Sequence, residues 1–361
     1  MFSQYIVATL KAKVIPDLER VIEFDLVRAT EAAALHASRW MGKGDKNAAD
    51  QAACDAIRGM FDLVPCCGEV VIGEGQKDKA PGIFLGEQLG TWEPASVPLD
   101  IAVDPVDGTT NISKGLPNVI SVLAAGHAPD GHGRALRNLP SFYSEKLAYG
   151  PRVRNHIVKT GVEVVKLEAP VEENVLAVAD VLNVPVHELT VTVLDRPRHE
   201  ELVKRIRKVG ARLRMIGDGD VAGAIAPSLI DSGTDLYAGV GGSPEAVLAA
   251  AALRCLGGDM QVKLWPRDET EKEKLINNGF EKELEKVYHA EDLASGDGVV
   301  FCATGISDSP LLPGVRFVGH TAITHSILMR AKTRTVRYIK AVHDLTTKTI
   351  RLRSTRAEQA L

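Results

Sequence analysis

A regular alternation of strand and helix patterns between Leu189 and Gly258 restricts the fold of this chain more than any other feature of its sequence. Apolar, β-branched runs predict strands at "LTVTVL", "RLRMIGDGD" and "TDLYAGVGG". Each run is followed by a pattern typical of a helix, in "HEELVKRIRKVG", "VAGAIAPSL" and "SPEAVLAAAALRCLGG". Such βαβα alternation predicts a layered α/β fold in which helices pack on a sheet.

The first part of the chain predicts a further group of helices and strands. The apolar residues Ile22, Leu26, Ala29 and Ala33 recur at helical spacing, and the alanine-rich "NAADQAACDAIRGMF" predicts a second helix. Short apolar runs bounded by Gly or Pro predict strands at "EVVIGEG", "LDIAVDP", "NVISVLAAG" and "EKLAYGP". We therefore expect a first half over residues 1–165 and a second half over residues 166–345, with the joint inside the polar segment 151–190.

The last part of the chain is more polar. The charge-rich "WPRDETEKEKLINNGFEKELEKVYHAEDLASGD" predicts a solvated helix or insertion before the apolar strand "GVVFCATG". Residues 346–361 are expected to form a polar, partly disordered C-terminal tail.

Composition and charge exclude several classes of partner. The 361 residues carry a formal charge of -4, with 45% hydrophobic and 25% charged residues, so we expect no broad basic face for nucleic acid. No run of about 18 uncharged apolar residues predicts a membrane span, and the first residues lack the pattern of a secretory signal. The five cysteines form no paired metal motif, which favours a reducing, cytoplasmic location. Adjacent Cys66 and Cys67 fit either a redox switch or two idle thiols.

The segment "DIAVDPVDGTT" ends an apolar strand in a group of acidic and turn-forming residues. The strand from Asp100 to Val103 places Asp104 at its carboxyl end, the edge where open α/β sheets bind ligands. Pro105 predicts a turn that carries Asp107, and Gly108 lets the backbone approach an anion. Two acids beside such a cradle predict a metal ion and a phosphate, although the same residues fit a capped tight turn equally well.

Two further acids favour the metal-binding interpretation. Glu74 follows an apolar strand and is flanked by glycines, and Asp50 closes "GDKNAAD" before a helix. Taken singly, an acid after a strand is a common solvated turn residue, and an Asp before a helix is a common N-cap. The recurrence of such acids therefore predicts a site for hard cations such as Mg²⁺ or Mn²⁺.

A long, ordered series of motifs resembles the class II, GlpX-type fructose-1,6-bisphosphatases, a branch of the lithium-sensitive, metal-dependent sugar and inositol phosphatases. The match runs from about Ile22 to about His343 and includes "GKGDKNAADQAA", "VVIGEGQKDKAP", "DIAVDPVDGTT", "YSEKL", "ELTVTVLDRPRH", "IGDGDVAGAI" and "GVGGSPEAVLAAAALRCLGGDM". The resemblance implies a layered α/β/α/β/α sandwich whose first half binds metal and phosphate and whose second half binds sugar. Homo-oligomers, tetramers or dimers, are common among such relatives.

The resemblance also implies roles for individual residues. Two or three divalent ions, Mg²⁺ or Mn²⁺, would be held by the carboxylates of Asp50, Glu74, Asp104, Asp107 and Glu245. Thr109 and Asp50 would hydrogen-bond the attacking water, and Asp78 and Lys46 match positions near the catalytic centre. The sugar bisphosphate would contact Asp107, Gly108, Thr109, Tyr143, Arg196, Arg198, Asp218, Asp220 and Glu245. The two arginines suit the distal phosphate because a guanidinium presents a fork of donors to phosphate oxygens.

This series of residues is compatible with several functions, to different degrees. The leading hypothesis is metal-dependent hydrolysis of the 1-phosphate of fructose 1,6-bisphosphate, and also of sedoheptulose 1,7-bisphosphate, in gluconeogenesis or the Calvin cycle. The alternatives are an inositol or nucleotide monophosphatase, which the paired arginines disfavour, and a non-hydrolysing sugar-phosphate sensor, which Thr109 and the full acid set disfavour. An oxidoreductase is disfavoured because "GVGGSPEAV" lacks the third glycine of the dinucleotide-binding motif.

Overall fold

The computed structural model describes residues 18–73, 82–94, 96–127 and 134–353. Its helices are α1 (Leu18–Ala37), α2 (Lys46–Phe61), α3 (Thr109–Lys114), α4 (Pro151–Thr160), α5 (Val171–Leu182), α6 (Glu200–Val209), α7 (Asp220–Ile225), α8 (Ser243–Leu256), α9 (Glu269–Asn277), α10 (Glu281–Glu285) and α11 (Ala290–Leu293). Its strands are β1 (Cys66–Ile72), β2 (Gln88–Leu89), β3 (Val97–Asp107), β4 (Ile120–Gly126), β5 (Tyr143–Tyr149), β6 (Thr190–Leu194), β7 (Arg212–Ile216), β8 (Leu236–Gly242), β9 (Asp259–Leu264), β10 (Tyr288–His289), β11 (Val300–Gly305), β12 (Arg316–Val318), β13 (Thr321–Arg330) and β14 (Thr335–Asp344). The strands and helices predicted between Leu189 and Gly258 all form, in the predicted order.

The strands form two mixed sheets. The first has the order β12-β13-β11-β4-β3-β1-β2, with β14 paired to β13. The second has the order β10-β9-β5-β8-β6-β7. Among the described strands, three pairs are parallel: β1 with β3, β6 with β7 and β6 with β8. The chain enters the second sheet at Tyr143 and returns to the first at Val300.

Three apolar cores separate five layers, as the α/β/α/β/α expectation requires. One core joins α1 and α2 to an outer face of the first sheet, and another joins α4, α5 and α6 to an outer face of the second sheet. The third lies between the sheets and is filled by α7, α8 and α11. The sandwich fold is therefore confirmed.

Helix α8 is buried because it lies between both sheets. The residues from Ala246 to Leu253 are all buried, and most are alanines, which let the strands of each sheet approach closely. Pro244 lies in its first turn, and Gly257 ends the helix in a left-handed conformation with φ 81°. The helix therefore holds Glu245, in its first turn, at a fixed position between the sheets.

Strand β3 is longer than predicted, because Pro105 does not end it. The strand continues to Asp107, and its register with β4 shifts between Asp104 and Asp107. Proline has no N–H to donate to a ladder, and a bulge is a place where a strand tolerates it. The expected turn at Pro105 is therefore wrong, and Gly108 forms the turn instead.

The sequence analysis does not predict β12, β13 and β14. Strands β13 and β14 form a long antiparallel hairpin, paired from Thr321 with Asp344 to Arg330 with Thr335. Tyr338 and Val342 are about two-thirds exposed on β14, so apolar residues occur on its outward face as well. Because both faces of β14 carry apolar residues, apolar and polar residues do not alternate strictly along it. That alternation is the pattern by which a half-buried strand is recognised.

The described part of the C-terminal tail, residues 346–353, lies against α2. The side chains of Arg351 and Arg353 pair with the carboxylate of Asp62 at 3.4 and 3.0 Å. A Cβ atom on Gly59 would lie 2.1 Å from the carbonyl oxygen of Arg351, so only glycine admits the tail at this distance. In the part of the chain described, no helix is both long and apolar enough to cross a membrane.

Candidate active site

Two loops from different sheets meet at the proposed site, and each turns on a glycine. Gly108 (φ 111°) separates β3 from α3, and Gly219 (φ 88°) precedes α7. A Cβ atom on either glycine would lie 2.7 Å from the carbonyl oxygen of Asn118. Since a Cβ does not fit at that distance and L-residues avoid these φ values, both positions require glycine.

The two loops hydrogen-bond each other through carboxylates and helix starts. The N–H of Val221, in α7, donates to Asp107 Oδ2 at 3.2 Å. The N–H of Thr110, in α3, donates to Asp218 Oδ2 at 3.1 Å. Each carboxylate thus satisfies an N–H in the first turn of the other loop's helix, where a negative charge is favourable.

Asp220 is held by a buried lysine and a buried tyrosine. Lys146 Nζ donates to Asp220 Oδ2 at 2.5 Å, and the side-chain exposures of the two residues are 1% and 7%. The hydroxyl of Tyr237 donates to Asp220 Oδ1. A Cβ atom on Gly241 would lie 1.9 Å from Asp220 Oδ2, so the glycine of β8 leaves the room that this carboxylate occupies. Both oxygens of Asp220 therefore accept hydrogen bonds from the protein.

Glu245 has an oxygen that no described residue satisfies. Its Oε2 is buried and accepts no hydrogen bond in the described part of the chain. A Cβ atom on Gly242 would lie 1.9 Å from Glu245 Oε2, so this glycine makes space for the carboxylate. Burial raises the pKa of Glu245, Lys146 lowers it, and Asp220 raises it again. An unsatisfied, buried carboxylate oxygen is a natural ligand for a cation.

The carboxylates of Asp107, Asp218, Asp220 and Glu245 repel one another across the site. Burial, followed by Asp218, Glu245 and Asp220, raises the pKa of Asp107 well above its ordinary range. Asp107 is 4% exposed, so water screens these charges weakly. Lys146 and Arg196 are the cations paired with this group among the described residues. The site therefore holds more carboxyl groups than cations.

The remaining predicted ligands and catalytic residues are only partly described. Asp50 is buried in α2, and Asp104 Oδ1 accepts the Val106 N–H at 3.0 Å inside the β3 bulge. Lys46 begins α2 and is exposed. The cap of that helix is Asp45, which accepts the Ala48 N–H at 2.9 Å, so the common N-cap explanation of Asp50 is wrong.

Two predicted site residues, Glu74 and Asp78, lie outside the described residues. Across residues 18–73, 82–94, 96–127 and 134–353, no three acidic, His or Cys side chains are grouped as a metal site. Metal binding by Asp50, Glu74, Asp104, Asp107 and Glu245 therefore stays a prediction. The donors nevertheless fit a hard divalent cation, because they are carboxylate oxygens and one of them is buried and unsatisfied.

The two predicted phosphate arginines differ in their surroundings. Arg196 donates to the carbonyl oxygens of Asp195 and Gly217, at 3.0 and 2.5 Å, and to Asp218 Oδ1 at 3.2 Å. Arg198 donates through Nε and Nη2 to the carbonyl oxygen of Val240, at 3.1 and 2.7 Å. Arg196 is thus occupied in orienting Asp218. The Nη1 group of Arg198 has no hydrogen-bond acceptor among the described residues and is available to a ligand.

Tyr143 and His199 fix the position of Arg198. The Arg198 guanidinium lies 4.8 Å from the centroid of the Tyr143 ring, a cation–π distance. His199 accepts the Val240 N–H on Nε2 at 2.7 Å and therefore donates from Nδ1 to the Leu194 carbonyl, also at 2.7 Å. Burial lowers the pKa of His199, which agrees with a neutral imidazole.

The sequence analysis missed Lys146, Tyr237, His199 and Asn118. A usable signal existed for Lys146, because Ser144, Lys146 and Ala148 alternate on one face of β5 and all three are buried. A lysine at a strand position that faces the core is rarely without a partner, so it indicates a nearby carboxylate. The others depend on contacts between distant segments, for which the sequence offers no local pattern.

The five cysteines are all free thiols. Burial raises the pKa of Cys66 to about 12, which keeps it protonated at neutral pH. Since the thiolate is the reactive form, this favours idle thiols over a redox switch at Cys66 and Cys67.

Comparison with known proteins identifies the family of this chain. Residues 20–343 match the model of the bacterial, glpX-encoded fructose-1,6-bisphosphatases. The chain is 42% identical to the class 2 fructose-1,6-bisphosphatase of Haemophilus influenzae over 339 residues, which cover 91% of this chain and 97% of the relative. It is 39% identical to fructose-1,6-bisphosphatase 1 class 2 of Escherichia coli over 339 residues, covering 91% and 96% of the two chains. The chain therefore belongs to the family of bacterial, glpX-encoded fructose-1,6-bisphosphatases.

Proposed function

We propose that this chain, a fructose-1,6-bisphosphatase by family membership, hydrolyses the 1-phosphate of its substrate at the acidic site between the starts of α3, α7 and α8. The observation that carries the proposal is the surplus of buried carboxylate there, with Glu245 Oε2 left unsatisfied among the described residues. A phosphate ester resists attack by a nucleophile because it is itself negative. A site of this charge binds such an ester only together with cations.

Two or three divalent ions, Mg²⁺ or Mn²⁺, would be held by Asp50, Glu74, Asp104, Asp107 and Glu245. When bound, such ions supply a water of lowered pKa and positive charge against the phosphate oxygens. The Thr109 hydroxyl and the Asp50 carboxylate orient the attacking water, and the N–H groups of Gly108 and Thr109 hold the phosphate. The Thr110 N–H is already committed to Asp218, so it does not take part. Lys46 and Asp78 complete the surroundings of the reacting phosphate.

Arg198 binds the distal phosphate in this proposal. Its Nε and Nη2 are fixed on the Val240 carbonyl, and its stacking on Tyr143 limits the rotation of the guanidinium. The Nη1 group is thereby oriented before substrate arrives, which reduces the entropy lost on binding. Arg196 acts by positioning Asp218, which binds the sugar hydroxyls together with Tyr143 and Asp220.

Lys146 serves as the internal counter-ion of the site. It neutralises Asp220 directly and lowers the pKa of Glu245. The pair is almost fully buried, so its geometry is set by packing. The lysine thereby holds Asp220 and Glu245 in their binding orientation before cations or substrate enter.

The free thiols favour a cytoplasmic location, and we propose a homo-oligomeric assembly for this chain. The apolar side chains of Val318, Tyr338 and Val342 are each about two-thirds exposed on β12 and β14. Both strands pair with β13, and exposed apolar side chains gathered in one sheet are typical of an interaction site. Light scattering after size exclusion would measure the assembly.

The experiment that tests the function is phosphate release from fructose 1,6-bisphosphate, sedoheptulose 1,7-bisphosphate and inositol monophosphate, with Mg²⁺, with Mn²⁺ and with EDTA. We expect turnover of fructose 1,6-bisphosphate that requires a divalent ion. Faster turnover of inositol monophosphate would overturn the bisphosphate assignment. A folded, metal-binding protein that releases no phosphate would indicate a sugar-phosphate sensor.

A further inference from the structure

A second cavity lies at the other end of the elements that form the active site. Its volume is about 220 Å³, and its walls include Tyr149, Arg154, Arg254 and His289. Helix α8 runs from Glu245 in the active site to Arg254 in this cavity, a distance of about 14 Å at about 1.5 Å per residue. Strand β5 likewise runs from Tyr143 to Tyr149. The cavity is therefore separate from the acidic site but shares two rigid elements with it.

The carboxylates around this cavity already have partners. Asp259 accepts from His289 Nδ1 at 3.0 Å and from the N–H groups of Ala290 and Met260 at 3.0 and 2.8 Å. Glu163 accepts from Gln261 Nε2 at 2.8 Å and lies 3.6 Å from His289 Nε2. Glu291 lies 3.1 Å from Arg254 Nη1. Each carboxylate on the cavity wall therefore has a hydrogen-bond donor or a cation beside it.

The donors on the same wall are not all satisfied. Arg254 Nε is buried and has no acceptor in the described part of the chain. The Arg154 guanidinium, carried by α4, pairs with no carboxylate and donates to no acceptor among the described residues. The hydrogen bond from His289 to Asp259 raises the pKa of the imidazole above its ordinary value, which favours its charged form. Two arginines, Arg154 and Arg254, therefore present unused hydrogen-bond donors to the cavity.

The size and the walls of the cavity restrict the ligand further. A volume of about 220 Å³ equals roughly seven waters at their share of liquid volume and is smaller than the usual pocket for a drug-sized molecule. Ile157 and Val158 give it an apolar side. An anion on a short carbon skeleton, or inorganic phosphate, fits this volume.

We propose that this cavity, lined by Arg154, Arg254 and His289, is a binding site for a small carboxylate or phosphate anion. The Arg154 guanidinium and the Arg254 Nε–H donate to its oxygens, and the guanidinium fork suits either group. Arg254 lies on α8, so an anion bound here contacts the helix that carries Glu245.

The test measures binding of inorganic phosphate and of malonate to the full chain by calorimetry in EDTA, which removes divalent ions from the active site. We expect both anions to bind the unaltered protein, and Arg154→Ala to weaken each by about tenfold or more. Lys159→Ala, which removes an exposed cation from the same helix α4, is the matched control and should bind normally.

Two results would overturn the site. One is unaltered anion affinity in Arg154→Ala, and the other is no binding of either anion to the unaltered protein at concentrations up to tens of millimolar. Binding of phosphate but not malonate would support the site and select phosphate esters as its class. Because the assay contains no substrate and no divalent ion, its outcome is independent of the proposed hydrolysis.

Discussion

Asp107 and Asp218 each accept a backbone hydrogen bond from the helix that the other one precedes. The Val221 N–H binds Asp107, and the Thr110 N–H binds Asp218. This pair of hydrogen bonds fixes the distance between a loop of the first sheet and a loop of the second. It also brings the acids of both loops together before any cation is present.

We expect Glu245→Gln to lower turnover by at least about a hundredfold while the fold stays intact, because a ligand charge is lost and the shape is kept. The pKa of Glu245 is raised in the folded protein, so its ionised form costs stability, and this cost grows as the pH rises above the ordinary value of 4.5. In EDTA at neutral pH the variant should therefore melt at a higher temperature than the unaltered protein. Scanning calorimetry and phosphate release measure the two effects.

The control is Glu269→Gln, which removes an exposed carboxylate from the first turn of α9. This control variant should change neither the turnover nor the melting temperature. Near-normal turnover in Glu245→Gln would contradict the role of this carboxylate as a metal ligand.

Arg198→Ala should raise KM for fructose 1,6-bisphosphate by about tenfold to a hundredfold, the usual effect of losing hydrogen bonds to a charged group. Turnover of a generic phosphomonoester should change far less, because that substrate has no distal phosphate. Steady-state kinetics on both substrates checks this, with Arg207→Ala, an exposed arginine of α6, for comparison. Equal effects on both substrates would show that Arg198 does not bind the distal phosphate.

Lys146→Met should destabilise the metal-free protein by about 3–5 kcal/mol, because Asp220 is left buried without its counter-charge. The double variant Lys146→Met with Asp220→Asn should recover most of that loss. Mn²⁺ should raise the stability of Lys146→Met more than that of the unaltered protein, since a bound cation replaces the missing charge. Urea unfolding with EDTA and with Mn²⁺ measures this, and an equal effect of Mn²⁺ on both proteins would refute the counter-ion role.

Gly219→Ala should lower both stability and turnover, because its Cβ would meet the Asn118 carbonyl at 2.7 Å. Backbone strain alone contributes about 1–3 kcal/mol at such a φ. Gly161→Ala separates the two causes, since Gly161 has a φ of 69° but open space around its Cβ position. We expect chemical unfolding to show a larger decrease in the free energy of unfolding for Gly219→Ala than for Gly161→Ala. An equal decrease in both variants would mean that the contact with Asn118 is unimportant.

Stability should decrease in acid through His343, which is buried on β14 with its Nε2 2.7 Å from Thr324 Oγ1. Burial lowers the pKa of His343 to about 4, below the ordinary 6.5, so the unfolded chain takes up the proton first. The stabilisation is complete above pH 6.5 and is lost as the pH falls toward 4, by on the order of 1 kcal/mol once solvent screening is considered. His343→Gln should show a smaller decrease of the urea midpoint over that range, whereas exposed His320→Gln should behave like the unaltered protein.

Local sequence patterns predict most of the elements that carry the site. The strand and helix order from Leu189 to Gly258 depends on patterns of a few neighbouring residues, and this order is confirmed. The bulge in β3 was not predictable, because Pro105 favours a turn in isolation and only pairing with β4 keeps it in the strand. The boundary near residue 165 stays a prediction.

The missed residues share a physical cause. Tyr237, His199 and Asn118 act through partners on other strands or loops, and their sequence neighbours contain no sign of those partners. The acids were found because several of them end strands or begin helices, where the local pattern alone marks a position for ligands. What sequence reasoning lacks here is the pairing between segments, not the chemistry of the side chains.

The two hydrogen bonds accepted by Asp107 and Asp218 also constrain the order in which the parts of the protein assemble during folding. The two hydrogen bonds join residues 108 and 114 positions apart in the chain, so neither forms until both sheets have docked. The first sheet cannot be completed early either, because its strands β11 to β14 follow the whole of the second sheet in the chain. The carboxylates of the two loops therefore come together late, after both sheets have been synthesised and have met.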